Sequence, residues 1–251
     1  RKGLPSKKQE KWKYTDLQTI VSNNLPDLEI FNNKKNLNYN KELLLSNFDH
    51  NKVILLNGSY VEKDFSFENE EKIYLKSLDH GLKNKKSFDK IKNFFNLKKN
   101  SLEELNNALA VDGIILGIED NYSFNKPLVI YNFFDKFSVN KIVNSKVFIE
   151  VGKQSKLNLI EYYNSENNIK YFHNVVHHYS IQRDAILKKF SINNNSKNSY
   201  NYHLTKSKNH TNSIFENFLF SLSPKLIKND IQCDLLGPFS SCFINSAILL
   251  N

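Results

Sequence analysis

Between Val143 and Leu250 apolar and polar residues alternate in short runs, and this period of two constrains the fold more than any other feature. Val147, Ile149 and Val151 make one run, and Val175, His177, Tyr179 and Ile181 another. Ile186, Lys188, Phe190 and Ile192 give a weaker case, followed by Tyr200, Tyr202 and Leu204 and then by Ile214, Glu216, Phe218 and Phe220. Ile227, Ile231, Cys233 and Leu235 come next, and Cys242, Ile244, Ser246, Ile248 and Leu250 close the series. Successive side chains leave a strand on opposite faces, so period two predicts strands. Gly152, the Gly237–Pro238 pair and clusters of Asn and Ser mark the turns between them. No helical pattern of useful length intervenes. An all-β scaffold follows, whether sandwich, barrel or solenoid, and periodicity alone leaves all three open.

Composition sets the outer limits. The chain has 251 residues, 40% of them hydrophobic, enough for a sizeable core in one or two domains. The net charge of +9 comes from Lys spread along the chain; Arg, the preferred phosphate and base reader, stands only at positions 1 and 183. With no basic block, nucleic-acid binding is not expected. Two cysteines make neither a disulfide framework nor a CxxC knuckle, which points to a reducing compartment. No run of about 18 apolar residues exists, so no transmembrane helix and no membrane partner are expected. Met is absent, the first residue is Arg, and the last run stops inside its alternation. We expect a fragment cut at both ends, whose open edge favours aggregation unless capped.

The N-terminal part is mixed. Pro5–Ser6 predicts a helix start near Ser6, and Thr15–Asp16 a second one. Trp12 is expected to pack a helix onto the domain. Residues 32–50 read as loop. Val53–Leu56, Asn57–Gly58 and Tyr60–Val61 read as a hairpin. Between 64 and 90 the expected buried points are Ile73, Leu75, Leu78 and Leu82. Ile91–Leu97 is expected to be helical. Ser101 with Glu104 forms a capping box for a helix to Ala110, with Leu102, Leu105 and Leu109 as its stripe and Ala108 beside it. Asp112–Gly113 reads as a turn, Ile114–Ile118 and Leu128–Phe134 as strands. The change of period puts a domain boundary near residue 110, giving regions 1–110 and 111–251.

Few residues carry recognisable chemistry. On one strand His173 and His177 share a face but stand about 13 Å apart, too far to hold one ion, and His178 points the other way. Ordinary half-buried or surface histidines are expected. Cys233 and Cys242 lie on the more apolar parity of successive strands around Gly237–Pro238; stacking can bring the thiols close, but a small buried hydrophobe is the plainer expectation. As iron–sulfur ligands the pair is incomplete. Glu150 and Glu161 lie on predicted strands without an evident partner carboxylate. Phosphate-loop, dinucleotide, zinc-protease and nucleophile-elbow motifs are absent.

The segment RKGLPSKKQEKWKYTDL resembles the N-terminal signature of the SufD family, R-x-G-[LF]-P-[ST]-[RK]-[RK]-x-E-x-W-[RK]-Y-T-[DP]-L, matching at Gly3, Leu4, Pro5, Lys8, Glu10, Trp12, Lys13, Tyr14, Thr15 and Leu17. VILLNGSYVEKDFSF resembles that family's strand–turn–Tyr segment. LNNALAVDGIILGIEDNYSFNKPLVIYNFFD, with Asp112, Gly113 and Pro127, resembles the passage into its core. LIKNDIQCDLLGPFSSCFINSAILL, with Gly237, resembles a strand pair inside that core, although Lys228 stands where Arg is common.

The resemblance implies a non-catalytic scaffold subunit of the SufBCD iron–sulfur assembly complex. It implies a helical or mixed N-terminal region before a right-handed parallel β-helix, here lacking its C-terminal part. The implied partners are a SufB-like subunit, met through the core, and a SufC-like ATPase, docked by a C-terminal segment beyond Asn251. No cofactor is then bound stably by this chain; a nascent cluster forms at the level of the complex. The family's interface histidine belongs to the part beyond Asn251 and is carried to no histidine here. The SufB-type cysteine triplet and N-terminus do not match. The implied location is bacterial cytoplasm or plastid stroma. The rival expectation is a β-solenoid that binds or acts on polysaccharide, drawn from the strand pattern, 13% aromatic content and many Asn residues.

Overall fold

The computed structural model describes residues 4–32, 38–84, 91, 100–110, 112–222 and 224–249. Gly3, Leu250, Asn251 and, apart from the buried residue 91, the helix expected over Ile91–Leu97 lie outside them. The described helices are α1 (Leu17–Asn24), α2 (Leu78–Lys83) and α3 (Ser101–Leu109). The strands are β1 (Glu29–Ile30), β2 (Asn51–Leu56), β3 (Ser59–Asp64), β4 (Ile73–Ser77), β5 (Asp112–Ile118), β6 (Leu128–Phe134) and β7 (Lys141–Val151). They continue with β8 (Lys156–Ser165), β9 (Phe172–Ile181), β10 (Ile186–Asn194), β11 (Tyr200–Asn209), β12 (Ile214–Leu222), β13 (Leu226–Leu235) and β14 (Ser241–Leu249).

From β5 onward consecutive strands fall alternately into two sheets. One runs β13-β11-β9-β7-β5-β4, the other β14-β12-β10-β8-β6-β2-β3. Apart from the β2–β3 and β4–β5 pairs, the ladders are parallel. The result is a β-solenoid of about five turns with a partly helical N-terminal region. Of the three all-β options, it is the solenoid that forms.

The corners explain why this sequence coils. Between the facing strands Asn121, Gln154, Asp184, Asn212 and Phe239 take left-handed backbone, with φ of 61°, 57°, 60°, 56° and 59°. Asn and Asp tolerate that region because their short polar side chains bond locally. The corners then bond to one another: Asn121 N to Lys153 O at 2.8 Å, Gln154 N to Arg183 O at 3.0 Å, Asp184 N to Thr211 O at 3.1 Å, and Asn212 N to Pro238 O at 2.9 Å. The turn signals in Asn and Ser are therefore one stacked ladder.

Several expectations are corrected. β8 carries no alternation conspicuous enough to be singled out, yet it pairs on both edges. In β10 and β12 the parity that stands out in the sequence (Ile186, Lys188, Phe190, Ile192; Ile214, Glu216, Phe218, Phe220) faces outward. The interior there is lined by Leu187, Lys189, Ser191 and Asn193 and by Phe215, Asn217, Leu219 and Ser221. Hydropathy picks the wrong face because the solenoid interior at that level is polar. The helix expected near Ser6 is only a single 3-10 turn over Glu10–Trp12. At Thr15–Asp16 the expectation holds: Asp16 Oδ1 accepts from Thr19 N at 3.1 Å and caps α1. For α3 the cap is Asn100, one residue before Ser101. The buried face of α3 is Leu102, Glu103 and Asn106, and Ala108 is exposed. Asp112–Gly113 is no turn but the start of β5. Leu82 is 43% exposed, so it is no core residue. Asn57–Gly58 does turn the β2–β3 hairpin, with positive φ at both.

The main core fills one end of the interior: Val53, Leu55, Ile114, Leu116, Val147, Ile149, Leu157, Leu187 and Phe215 among others. The N-terminal region covers the outer face of the first sheet. Trp12, Leu17, Val21, Leu25 and Leu102 pack on Ile142, Phe172, Val176, Tyr200, Tyr202 and Leu204. That sheet is thus buried on both faces, which is why β9 and β11 carry few exposed side chains. Among the described residues the second sheet is covered on its outside as far as β8, by Tyr39, Leu43, Leu44, Leu45 and Val61. Among the described residues no helix is long and apolar enough to cross a membrane.

Candidate functional site

Four groups of residues stand out: the signature, a polar cluster inside the solenoid, a thiol pair at its last described coil, and an aromatic strip outside the second sheet. The signature residues act mainly on the docking of the N-terminal region. Pro5 is buried, and its carbonyl accepts from Gln18 N at 3.1 Å. Trp12 is buried against Tyr202, ring centroids 5.6 Å apart, with the Lys228 ammonium 4.8 Å from its ring. Lys228, in place of Arg, still supplies a cation there. Thr15 is half-buried, whereas Glu10 and Tyr14 are exposed. Asp112 is buried and accepts from Tyr60 N and Asp79 N, each at 3.2 Å, tying β3 and α2 to β5. Gly113 has φ of 149°, and a Cβ there would stand 1.8 Å from Lys146 O, so no other residue fits. The Pro127 carbonyl accepts from Asn51 N at 2.8 Å. A Cβ at Gly237 would lie 2.4 Å from Thr211 Oγ1 of the coil below.

The interior cluster is built from inward positions of four strands. β8 supplies Glu161 and Tyr163, β9 supplies His173, His177 and Tyr179, β10 supplies Lys189 and Ser191, and β11 supplies His203. Tyr179 donates to Glu161 at 2.6 Å, Tyr163 at 3.1 Å, Ser191 at 3.1 Å and Lys189 at 2.9 Å; His177 Nε2 lies 3.2 Å away. His173 Nε2 meets Ser145 Oγ at 3.0 Å. The His203 ring stands 5.5 Å from that of His173 and 6.2 Å from that of His177.

The electrostatics follow from enclosure. Burial alone would raise the Glu161 carboxyl, but the charge His177 would carry if protonated, the Lys189 ammonium and the donated hydrogen bonds outweigh it and hold the group at about 2. Burial drives His173 down to about 3, reinforced by His177, and His177 down to about 4. Burial also takes His203 and His178 well below the usual range. His173, His177 and His203 are thus neutral imidazoles around an ionised, fully donated carboxylate at neutral pH. The cluster ties the heights of β8, β9 and β10 together.

The histidines are thus buried, not half-buried or at the surface, because the interior supplies polar partners. His173 and His177 share the inner face as expected, and His178 points outward, stacked on Phe148 with centroids 4.9 Å apart. Glu150 lies on the outer face of β7, 3.4 Å from Gln182 Nε2. No local pattern in the sequence marks His203, Tyr163 or Lys189. The available signal was the corner spacing, which superposes β11 on β9 and sets His203 in the gap between His173 and His177. Among the described residues no group of three or more His, Cys, Asp or Glu is arranged to hold a metal ion.

Cys233 on β13 and Cys242 on β14 both point inward at the rim of the main core, half-buried, with sulfurs 2.9 Å apart. On the outside of the second sheet, beyond its covered part, Phe190 and Phe218 stack with centroids 4.8 Å apart, and Phe243 is exposed next to them. Lys188 and Glu216 pair at 3.1 Å along the same groove.

Two family models match. That of the SufBD protein N-terminal region covers residues 1–130, and that of the SufBD core domain of SUF-system FeS cluster assembly covers residues 135–251. No curated protein matches the chain. The first match spans the docked N-terminal region together with β2 to β5, and the second spans the coils that hold the polar cluster and the thiol pair. Matched over nearly its whole length, the chain belongs to the SufB/SufD family of iron–sulfur cluster assembly proteins.

Proposed function

We propose that this chain is the SufD-type partner in its complex: a non-catalytic scaffold that pairs with a SufB-like subunit and works with a SufC-like ATPase. The observation that carries this reading is the N-terminal signature. Its residues Trp12 and Leu17 help fasten the N-terminal region across β9, β11 and β13, and the signature form resembles SufD and not SufB. The aromatic strip of exposed Phe190 and Phe243 and half-buried Phe218, which no described residue covers, supports a protein partner, because contiguous apolar surface on a folded domain marks an interaction site. The nascent cluster is cargo of the complex in this reading, held between subunits, and the compartment is cytoplasm or plastid stroma.

Co-expression with a SufB-like and a SufC-like protein tests it. Recovery of a stable three-component complex supports the reading. Pairing of this chain with itself and SufC alone, or with a SufD-like chain in place of SufB, assigns it the other role in the family and overturns the SufD assignment.

A further inference from the structure

The thiol pair is not absorbed by the scaffold reading. Cys233 is on the first sheet and Cys242 on the second, so a bond between them would join the two sheets directly, across the corner at 236–240. The sulfurs are 2.9 Å apart, and a disulfide spans about 2.05 Å, leaving ~0.9 Å to close. The backbone on both sides is held in place. Leu236 N bonds Asn209 O at 2.8 Å, Ser241 N bonds Ser213 O at 2.9 Å, and Gly237 is pressed against Thr211. In register, Cys233 lies beside Ser207 and Cys242 beside Phe215, so each thiol has a fixed neighbour in the coil below. Both are half-buried, so a small reagent can reach them.

We propose that Cys233 and Cys242 form a reversible dithiol–disulfide site, oxidised by a low-molecular-weight disulfide, that staples the two sheets of the solenoid together. The Cys233 thiolate attacks one sulfur of the reagent, forming a mixed disulfide and releasing one thiolate. Cys242 then loses its proton to solvent, and its sulfur attacks the Cys233 sulfur, displacing the second thiolate. Two protein thiols and one small disulfide become one protein disulfide and two small thiols, so atoms and electrons balance. The order of events follows from the contact itself. The Cys242 S–H donates to Cys233 Sγ, which draws the Cys233 thiol down to about 7 despite burial, while the same contact and burial push Cys242 up. Cys233 is the attacking sulfur and Cys242 the resolving one.

The test is thiol mapping of the intact protein after incubation with oxidised glutathione. Free thiols are blocked at acid pH, and the unreduced digest is read by mass spectrometry. The expected product is one cross-linked species joining the Cys233 and Cys242 peptides, lighter by two hydrogens and lost on treatment with dithiothreitol. Cys242→Ser is expected to accumulate glutathione on Cys233, because the resolving sulfur is gone. Both thiols remaining open to blocking, mixed disulfides persisting on the unaltered protein, or cross-links only between molecules would each overturn the proposal. The unaltered protein decides the question even where the serine variant fails to fold, and none of these outcomes depends on which partners the chain has.

Discussion

Lys206 on β11 sends its ammonium outward to lie 2.8 and 2.7 Å from the two carboxylate oxygens of Glu103 on α3, and both side chains are buried. This ion pair, with Asn106 donating to the carbonyls of Ser145 and Asn174 at 3.0 and 2.7 Å, fastens the helix that seals the first sheet. Glu103→Ala removes the carboxylate from a buried ammonium, and breaking such a pair costs about 3–5 kcal/mol. Glu103→Leu combined with Lys206→Met is expected to recover most of that loss. Denaturant unfolding of both variants checks it; equal losses would assign the effect to packing alone.

Acid is expected to destabilise the solenoid from the inside. His173 and His177 ordinarily titrate at 6.5, but in the fold they are held at about 3 and about 4. Between these limits the unfolded chain binds protons that the folded chain refuses, so stability falls as pH falls. Each such histidine contributes about 1.4 kcal/mol per pH unit. Glu161 acts in the same direction at lower pH. Its carboxyl is depressed from 4.5 to about 2, so its contribution is complete above 4.5 and is lost as pH drops toward 2. Unfolding midpoints measured from pH 7.5 down to 4.5 should decline steadily below about 6.5, and His173→Asn should reduce the slope by one proton. A flat profile would contradict the neutral, buried assignment.

The fifth corner breaks the pattern of the other four. Phe239 occupies left-handed backbone at φ 59° with its side chain 86% exposed, where the coils below place Asn, Gln or Asp. Left-handed backbone costs an ordinary L-residue about 1–2 kcal/mol, and Asn relieves part of it. Phe239→Asn is therefore expected to stabilise the protein by about 1 kcal/mol, or roughly 2–4 °C in melting temperature. A lower melting temperature would mean that the phenyl ring makes contacts worth more than the strain.

The exposed strip on the second sheet gives a prediction about association. Phe218→Asp places a charge where Phe190 and Phe243 flank it, on an outward position that leaves the core untouched. Its melting temperature should stay within about a degree or two of the parent, since surface changes are usually small. Its recovery with a SufB-like partner should drop at least tenfold, read by titrated pull-down. Unchanged recovery would exclude the strip from the interface.

Much of the fold is legible because short apolar or alternating runs, bounded by turn residues, mark strands whether one face is wet or both are buried. The β2–β3 hairpin at Asn57–Gly58, the strand Leu128–Phe134 and the Asp16 cap could be read directly. The parity of β10 and β12 could not, since the interior there holds Lys189, Ser191, Asn193 and Asn217, and the apolar side chains face out. The buried face of α3 was hidden for the same reason: Glu103 and Asn106 are polar, and their partners come from strands far along the chain. The polar cluster was half visible. His173 and His177 were seen to share a face, but Glu161, Lys189 and His203 join them only through the coil spacing, which is a property of the stacked corners and not of any local run. The thiols stand on the more apolar parity of their runs, which faces inward, but they are half-buried and in contact rather than simply buried, and that contact depends on the Gly237 corner closing tightly over Thr211.

Co-purification of the intact protein with SufB-like and SufC-like proteins, followed by anaerobic assay of iron and sulfide, tests the proposed scaffold role most directly. A stable complex of all three that holds a cluster, with none on this chain alone, is the expected result. A clean monomer that ignores both partners would contradict it.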